Sequence, residues 1–563
     1  MSKRLSKFSL AVLILLGLVV LAACSDGKTS DNAEKEGEGS SDEPLTLTFF
    51  NADGGEEKTF DDPVAKKITE KTGIKLEMDY PVGGNDEAIP LMIASGGEYP
   101  DLIFAKGDIG KLIEAGGVIK LDDLIEEKGD NLKAMYGDQI NRLRNSIEDP
   151  SIYTVGTYGV ENAYWETSGT FQIQLDVLRE LGYPEIRTLE DFEAALTEYY
   201  EKYPEIDGQK TLPLSLLGSD WRWLITVGNP AGFAAGLQDD GQWAVNDETG
   251  ETSYKFLLPE FKEYFKWLNG MNAKGLLDPE SFTQTYDTYI SKLSSGRVLS
   301  VADQNWNFGD ADKALVADGK EWRTYAPLPV TLGEEYKSQA LKDYGFAGGW
   351  GGIAISSTSE HQEEAFEFLD WMASEEAQIL TNWGIEGENY DIVDGKRVMQ
   401  EDDRERMNND PDYAKETGVG YYVYPFPQWG GNGAVDSEGQ PITPNSEEQI
   451  VANYNSAEKE ALKEYEMTNW IEWFPSTEEL GRSNHGTVSN YTIPPGSDVQ
   501  IIQQKADDLT EQKITQAILG DPADFDKAWE DMIAELEAMN IQKANEEMTQ
   551  MTKDKMELWE TNE

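Results

Sequence analysis

Between Leu45 and Ala115 the apolar residues switch repeatedly from a two-residue to a helical period, and this limits the folds open to the chain. Leu45–Phe50 (LTLTFF) alternates and is rich in β-formers, which predicts a strand. Asp61–Thr72 carries a helical pattern, with Gly73 placed to cap its C-terminus in the left-handed conformation. Ile74–Tyr80 alternates again. Glu87–Ser95 reads as a helix with Pro90 in its first turn, ended by Gly96 and Gly97. Tyr99–Phe104 is a short buried strand and Ile109–Ala115 a further helix. Strands interleaved with helices at this spacing predict an α/β lobe with a largely parallel sheet.

A second, more helical region begins near Asp220–Leu224 (DWRWL). Before it, Thr188–Tyr200 predicts a helix with Thr188 as N-cap and Asp191 three residues on, close to a capping box. Phe256–Asn269 sets Phe261, Tyr264, Phe265 and Leu268 at helical spacing. Val298–Ala302 is an apolar strand expected to return to the first lobe, as is the Gly-rich entry Gly345–Ser356. Glu363–Leu380 reads as one helix with Ala365, Phe368, Trp371 and Met372 on its core face. Asp391–Pro444 has little periodicity but holds Tyr421, Tyr422, Tyr424, Phe426 and Trp429, which predicts a long functional loop. Helices over Ala506–Leu519 and Pro522–Met539 close the chain.

The N-terminus predicts an address. Lys3, Arg4 and Lys7 precede an uncharged apolar run from Leu10 to Ala23, too short for a comfortable membrane helix, so residues 1–23 read as a secretory signal. Leu21-Ala22-Ala23-Cys24 resembles the lipobox of bacterial lipoproteins, which implies a lipid on Cys24, the single cysteine of the chain. A diacylglyceryl group carries two acyl chains, about what stable attachment requires. Residues 24–44, rich in Gly, Ser and acids, form a flexible tether. With one cysteine no internal disulfide is possible, so stability has to come from packing. The length predicts two to four domains. The formal charge of −59, from 47 basic and 106 acidic residues, argues against phosphate-driven nucleic-acid binding and against broad docking on anionic lipid. This acidic excess suits a salty or alkaline exterior.

Motifs for catalysis are missing. The two histidines, His361 and His485, lie far apart and belong to no His-Glu-x-x-His or Cys/His cluster; no G-x-S-x-G elbow or Walker-type phosphate loop is present. With 106 acids, carboxylate pairs arise by chance, so a two-carboxylate glycosidase stays open as an alternative. What stands out is aromatic residues in polar settings, among 15 Trp and 25 Tyr. An indole face accepts the C–H face of a sugar ring while neighbouring short polar chains meet its hydroxyls. Candidate clusters are Tyr164-Trp165-Glu166, Asp220-Trp221-Arg222-Trp223, Asp303-Gln304-Asn305-Trp306-Asn307, Trp350 among glycines, and Asn382-Trp383. The ligand-binding candidates are therefore Trp165, Trp221, Trp223, Trp306, Trp350, Trp383, Asp220, Arg222 and Asn305.

Several stretches in order, "LMIASGGEYPDLIF", "GGVIKLDDLIEEKG", Leu178–Leu196 and above all "NWGIEGENY" followed by "DGK", resemble extracellular solute-binding lipoproteins of ABC sugar importers, in the large oligosaccharide-binding, LplA-type branch. The likeness runs over nearly all the chain after the tether. It implies a bilobal α/β fold of the type II periplasmic-binding-protein kind, two lobes joined by hinge crossings, with a helical C-terminal extension. The expected layout is a first lobe over 45–165 with 298–355 returning to it, and a second over 166–297 and 356–563. The expected role is capture of an oligosaccharide and delivery to permease subunits by a monomer at the outer face of the membrane, without catalysis. A surface glycosidase or a non-transport surface lipoprotein are the alternatives. Some members carry an acidic calcium loop where this chain has only Glu205 and Asp207, so no metal and no cofactor are expected. The family often has Arg-Lys-Asp-Trp where this chain has Gln174-Leu175-Asp176-Val177, keeping only the Asp.

Overall fold

A computed structural model describes residues 43–53, 59–81, 87–156, 165–237, 239–346, 348, 351–430 and 433–560. The signal, Cys24, Tyr164 and Trp350 lie outside the described residues. Eight strands form the two sheets that organise the body: β1 (Leu45–Asn51), β2 (Ile74–Asp79), β3 (Leu102–Phe104), β4 (Val155–Gly156), β5 (Gly169–Gln174), β6 (Ser300–Gln304), β7 (Tyr325–Leu328) and β8 (Gly352–Ile355).

The first sheet has the order β2-β1-β3-β8-β4. β1, β2 and β3 run parallel, while β8 is antiparallel to both β3 and β4. Because side chains alternate across a strand, Leu47, Phe49, Leu102 and Phe104 enter one core while Phe50 and Ile103 enter another on the opposite face. The connecting helices end as their residues dictate. Asp62 caps Pro63–Thr72 by accepting from the Ala65 amide, and Gly73 closes it at φ 72°.

The second sheet is antiparallel, in the order β6-β5-β7. The apolar strand near Val298 therefore belongs here: its ladder partners are Gly169–Ile173, and its expected return to the first lobe is corrected. From this region, among the described residues, β8 is the one strand that returns to the first sheet. The stretch after it also changes side. Helices Gln362–Met372 and Glu375–Trp383 pack Phe366, Phe368, Leu369 and Leu380 into the first lobe's core, not the second's. They are two helices where one was expected, because Ser374 caps a new start by accepting from the Ala377 amide. The long aperiodic segment is also partly regular, with a hairpin (Tyr390–Val393 with Lys396–Met399) and a helix at Glu401–Asn409. Its aromatics complete the first lobe: Tyr422 and Phe426 are buried, and Tyr422 donates to the capping Asp62.

Among the described residues the chain passes from one core to the other three times, between Val155 and Phe171, between Leu341 and Phe346, and between Phe426 and Ala457. The C-terminal helices Asp498–Leu519, Phe525–Ala538 and Ile541–Glu560 add to the second core. The last one also reaches the first lobe. Lys555 Nζ donates to the carbonyl oxygens of Arg144 (2.7 Å) and Asn145 (2.5 Å), which follow the 3-10 turn Gly137–Leu143. Arg142, in that turn, lies 4.6 Å over the ring of Trp559.

Candidate functional site

Two of the sequence-predicted clusters, remote in the chain, meet on the second lobe. Asp220 turns the backbone: its carbonyl takes the Trp223 amide (2.8 Å) and its Oδ1 takes the Arg222 amide (2.9 Å). The turn opens into a π-helical stretch, Leu224–Gly228, a wider-turned form that recurs at functional sites. Helical geometry then separates the two indoles. Residues two apart on a helix point to different sides, so Trp221 is 60% exposed while Trp223 is 4% exposed. The other cluster opens helix Asn305–Ala317 directly after β6, and Trp306 stands on its outer face at 56% exposed.

Trp221 and Trp306 stack with ring centroids 6.1 Å apart and planes only 10° from parallel. Large exposed aromatics are uncommon, and a stacked pair of them is an apolar plate open to solvent. Its surroundings are polar and ordered. The Arg222 guanidinium lies 4.6 Å over the Trp221 ring and 4.3 Å over Tyr286. Its Nη1 donates to Asp220 Oδ2 (2.8 Å) and its Nε to Asn307 Oδ1 (3.0 Å). Asn307 Nδ2 in turn donates to both oxygens of Asp303, at 3.0 and 2.9 Å. Asp303 also accepts from the hydroxyl of Tyr289 (2.8 Å). Burial pushes the Asp303 carboxyl up to about 7 against these donors. The Tyr286 hydroxyl donates to the Asn307 carbonyl at 3.0 Å.

The plate adjoins the first interlobe crossing. The Asn305 amide donates to the Ser168 carbonyl (2.7 Å), its side chain reaches the Thr167 carbonyl (3.4 Å), and Ser168 Oγ donates to Gln304 Oε1 (2.8 Å). Gly169 leaves room for Gln304, whose amide a Cβ there would meet at 2.2 Å. Trp165 lies half-buried on the same crossing, and its carbonyl accepts from Asn469 at 3.1 Å. Beneath, Gln304 Nε2 reaches Asp239 (3.3 Å), Asn229 bonds the same carboxylate (2.9 Å), and buried Lys255 donates to Asn229 (2.8 Å). Burial holds this lysine down to about 8.

Of the predicted residues, the structure thus joins Trp221, Trp306, Asp220, Arg222 and Asn305. Two others are corrected. Trp223 is a core residue whose Nε1 donates to Thr515 (3.0 Å), and Trp383 is 1% exposed, its Nε1 donating to the Pro441 carbonyl (3.2 Å). Asp176 is also structural: buried, it pairs with Arg179 and Arg323. Glu205 and Asp207 lie on a two-residue-stranded hairpin, Asp207 at its tip with φ 50°. Tyr286 was not foreseen, since a tyrosine opening an ordinary amphipathic helix carries no local signal. One histidine also meets a serine and an aspartate, but not as a proton relay. Ser483 Oγ (3.2 Å) and Asp247 Oδ1 (2.8 Å) both approach His485 Nε2, and Nδ1 has no partner among the described residues. A triad needs its serine and carboxylate on opposite nitrogens, and here the serine and the histidine are both buried.

Comparison with known proteins gives a consistent picture. The family model described as bacterial extracellular solute-binding protein matches residues 64–383. A fructooligosaccharide ABC transporter substrate-binding protein, FusA, of Streptococcus pneumoniae is 24% identical over 406 residues, 67% of this chain and 71% of that one. Lipoprotein LipO of Bacillus subtilis is 23% identical over 399 residues, 68% of this chain and 73% of its own. Among solved structures, the S. pneumoniae FusA complex with fructo-nystose superposes with a TM-score of 0.65 at 18% identity, covering 90% of this chain and 99% of that one. An alginate-binding protein without calcium superposes at 0.63 and 18% identity, covering 91% and 99%. At these identities the superpositions establish the shared bilobal fold.

Proposed function

This chain belongs to the bacterial extracellular solute-binding proteins, and from that premise we propose that it is the substrate-binding component of an ABC importer that captures an oligosaccharide and delivers it unaltered to permease subunits. The observation that carries the ligand class is the open, near-parallel plate of Trp221 and Trp306 beside the first interlobe crossing. Sugar C–H faces lie on the indoles, and Asp220, Arg222 and Asn305 are the polar groups at the rim. Trp165, on the first crossing, belongs to the same reading as a further contact, and Trp350 is kept in it from its sequence setting among glycines. Ligand bound against both lobes favours the closed arrangement only to the extent that it gains contacts there. The relatives that carry a substrate in their names are sugar-importer binding proteins, and one relative is named a lipoprotein. Cys24 is accordingly read as the lipid attachment that holds a monomeric body at the outer face of the membrane.

The test is a thermal-shift and calorimetric screen against neutral oligosaccharides. A ligand at 100 times its Kd stabilises the protein by about 2.7 kcal/mol. Saturable binding to one site per chain, weakened by Trp221→Ala and Trp306→Ala, is the expected result. Turnover of the glycan, or binding indifferent to both substitutions, overturns the reading. Labelling with radioactive palmitate that persists in Cys24→Ala would refute the anchor.

A further inference from the structure

Resting on the oligosaccharide reading of the indole plate, we propose that this face selects uncharged glycans and rejects uronides, because Asp220 and Asn307 have already engaged the cation that could hold a sugar carboxylate.

Arg222 is the cation standing on the plate. A guanidinium grips a carboxylate through two parallel N–H donors along one edge of its plane. Arg222 has two such edges, Nε with Nη2 and Nη1 with Nη2. The Nε–Nη2 edge is broken, since the single Nε–H goes to Asn307 Oδ1 at 3.0 Å, and Nη1 of the other edge already carries the Asp220 carboxylate at 2.8 Å. The guanidinium is also packed against aromatic rings, 4.6 Å from Trp221 and 4.3 Å from Tyr286. Asn307 cannot turn aside to release Nε without pulling its amide from both Asp303 oxygens.

The charge around this cation points the same way. Asp220 neutralises it at contact distance, and Asp303 lies buried beneath. Glu511, on the neighbouring C-terminal helix, has its carboxyl pushed up by partial burial and by the charges of Asp508 and Asp220, a further acid near this side of the plate. A sugar carboxylate arriving at the indoles would meet a cation already paired with a carboxylate and an excess of like charge. A hydroxyl meets no such penalty. It can accept from Nη2 and donate to Asp220, so the arrangement that repels an acid suits an alcohol.

The decisive comparison changes the ligand by one group. Malto-, cello-, manno- and fructo-oligosaccharides are screened by calorimetry, and the one bound most tightly is oxidised at its primary hydroxyls to carboxylates. In the wild-type protein the oxidised glycan is expected to bind at least tenfold more weakly than its parent. Raising NaCl from about 20 mM to 1 M should narrow that ratio, since screening weakens repulsion between exposed charges. In Asp220→Asn the acidic partner is gone, and the ratio should fall to threefold or less. The salt series on the wild type keeps the test intact should the variant fold poorly. An oxidised glycan bound as tightly as its parent, a ratio indifferent to salt, or a ratio unchanged in a folded Asp220→Asn overturns the inference while the sugar-binding reading stands. A protein that binds oligogalacturonide and none of the neutral glycans does the same. Failure to bind any glycan removes both.

Discussion

Two arginines of this protein stand 4.6 Å over an indole, and the two places do opposite work. At the seam between the lobes, Arg142 covers Trp559, which is 8% exposed, and its Nη1 donates to the Phe346 carbonyl at 2.8 Å. Burial and the nearby Arg482 hold the Arg142 guanidinium below its usual range. On the plate, Arg222 covers Trp221, which is 60% exposed, and is paired with a carboxylate. The contact geometry is the same. What differs is which parts are spent. At the seam the indole is consumed by packing and the cation answers to a backbone carbonyl. On the plate the cation is consumed by Asp220 and Asn307 and the indoles are left over. A cation–π contact alone therefore marks neither a site nor a strut; the group left unsatisfied tells them apart.

Substitutions at the two places should separate cleanly. The largest effect belongs to the seam. Trp559→Ala empties a buried site and should cost about 3–5 kcal/mol of stability, read from the urea midpoint, while the folded fraction keeps the wild-type glycan Kd. A loss of affinity without loss of stability would reverse the assignment of the two regions.

The seam also has a pH signature. Burial, with no carboxylate partner among the described residues, holds Lys555 down to about 8, against an ordinary value of 10.5. The unfolded chain keeps that proton to higher pH than the folded one. Between about pH 8 and 10.5 the unfolded state therefore binds more protons, and stability rises with pH. The rise is on the order of 3 kcal/mol for one such group. Lys555→Met should flatten the stability profile over that window, as followed by denaturant unfolding at successive pH values. Lys255, buried and held down to about 8, leaves a remaining slope of the same sign. An unaltered profile in the variant would show that Lys555 is not desolvated in solution.

On the plate, Trp221→Ala and Trp306→Ala should each weaken glycan binding by about 2 kcal/mol, roughly thirtyfold. Because both rings are exposed, stability should stay within about 0.5 kcal/mol of wild type. The smallest effect sharpens the comparison. Tyr286→Phe keeps the ring against Arg222 and removes only the hydroxyl bond to Asn307, so stability should fall by about 0.5–1.5 kcal/mol with the glycan Kd little changed, measured by calorimetry beside an unfolding curve. An affinity loss as large as that of Trp306→Ala would place the ligand contact on the tyrosine side of the arginine.

The opening of the first lobe, residues 45–115, was legible in the sequence because its signals are local. Gly73 after an amphipathic run and alternation in Leu45–Phe50 each declare an element without reference to the rest of the chain. The Thr188–Asp191 capping box, on the second lobe, was as plain. What failed was non-local. Nothing in Val298–Ala302 states whether its ladder partner is β5 or a strand of the first sheet, and an apolar strand buried on both faces suits either. The break at Ser374 hides inside continuous helical periodicity because Ser374 sits among good helix formers. The plate was half legible. Asp-Trp-Arg-Trp and Asp-Gln-Asn-Trp-Asn announce aromatic residues in polar company, but composition cannot say which indole turns inward. Read as a strand, Trp221 and Trp223 share a face; the helical turn sends one to solvent and the other onto the C-terminal helix beside Thr515. That Trp221 and Trp306 meet depends on packing residues 85 positions apart, as the Arg222–Asn307 bond does, and lies beyond any window of sequence.

The most direct test is a crystal structure of the protein with the oligosaccharide selected by calorimetry. A sugar ring should lie with its C–H face on Trp221, Trp306 or both, at about 4–5 Å between ring centroids, with a hydroxyl bonded to Asp220 or Arg222. A glycan bound elsewhere, with both indoles still open to solvent and Arg222 untouched, would contradict it.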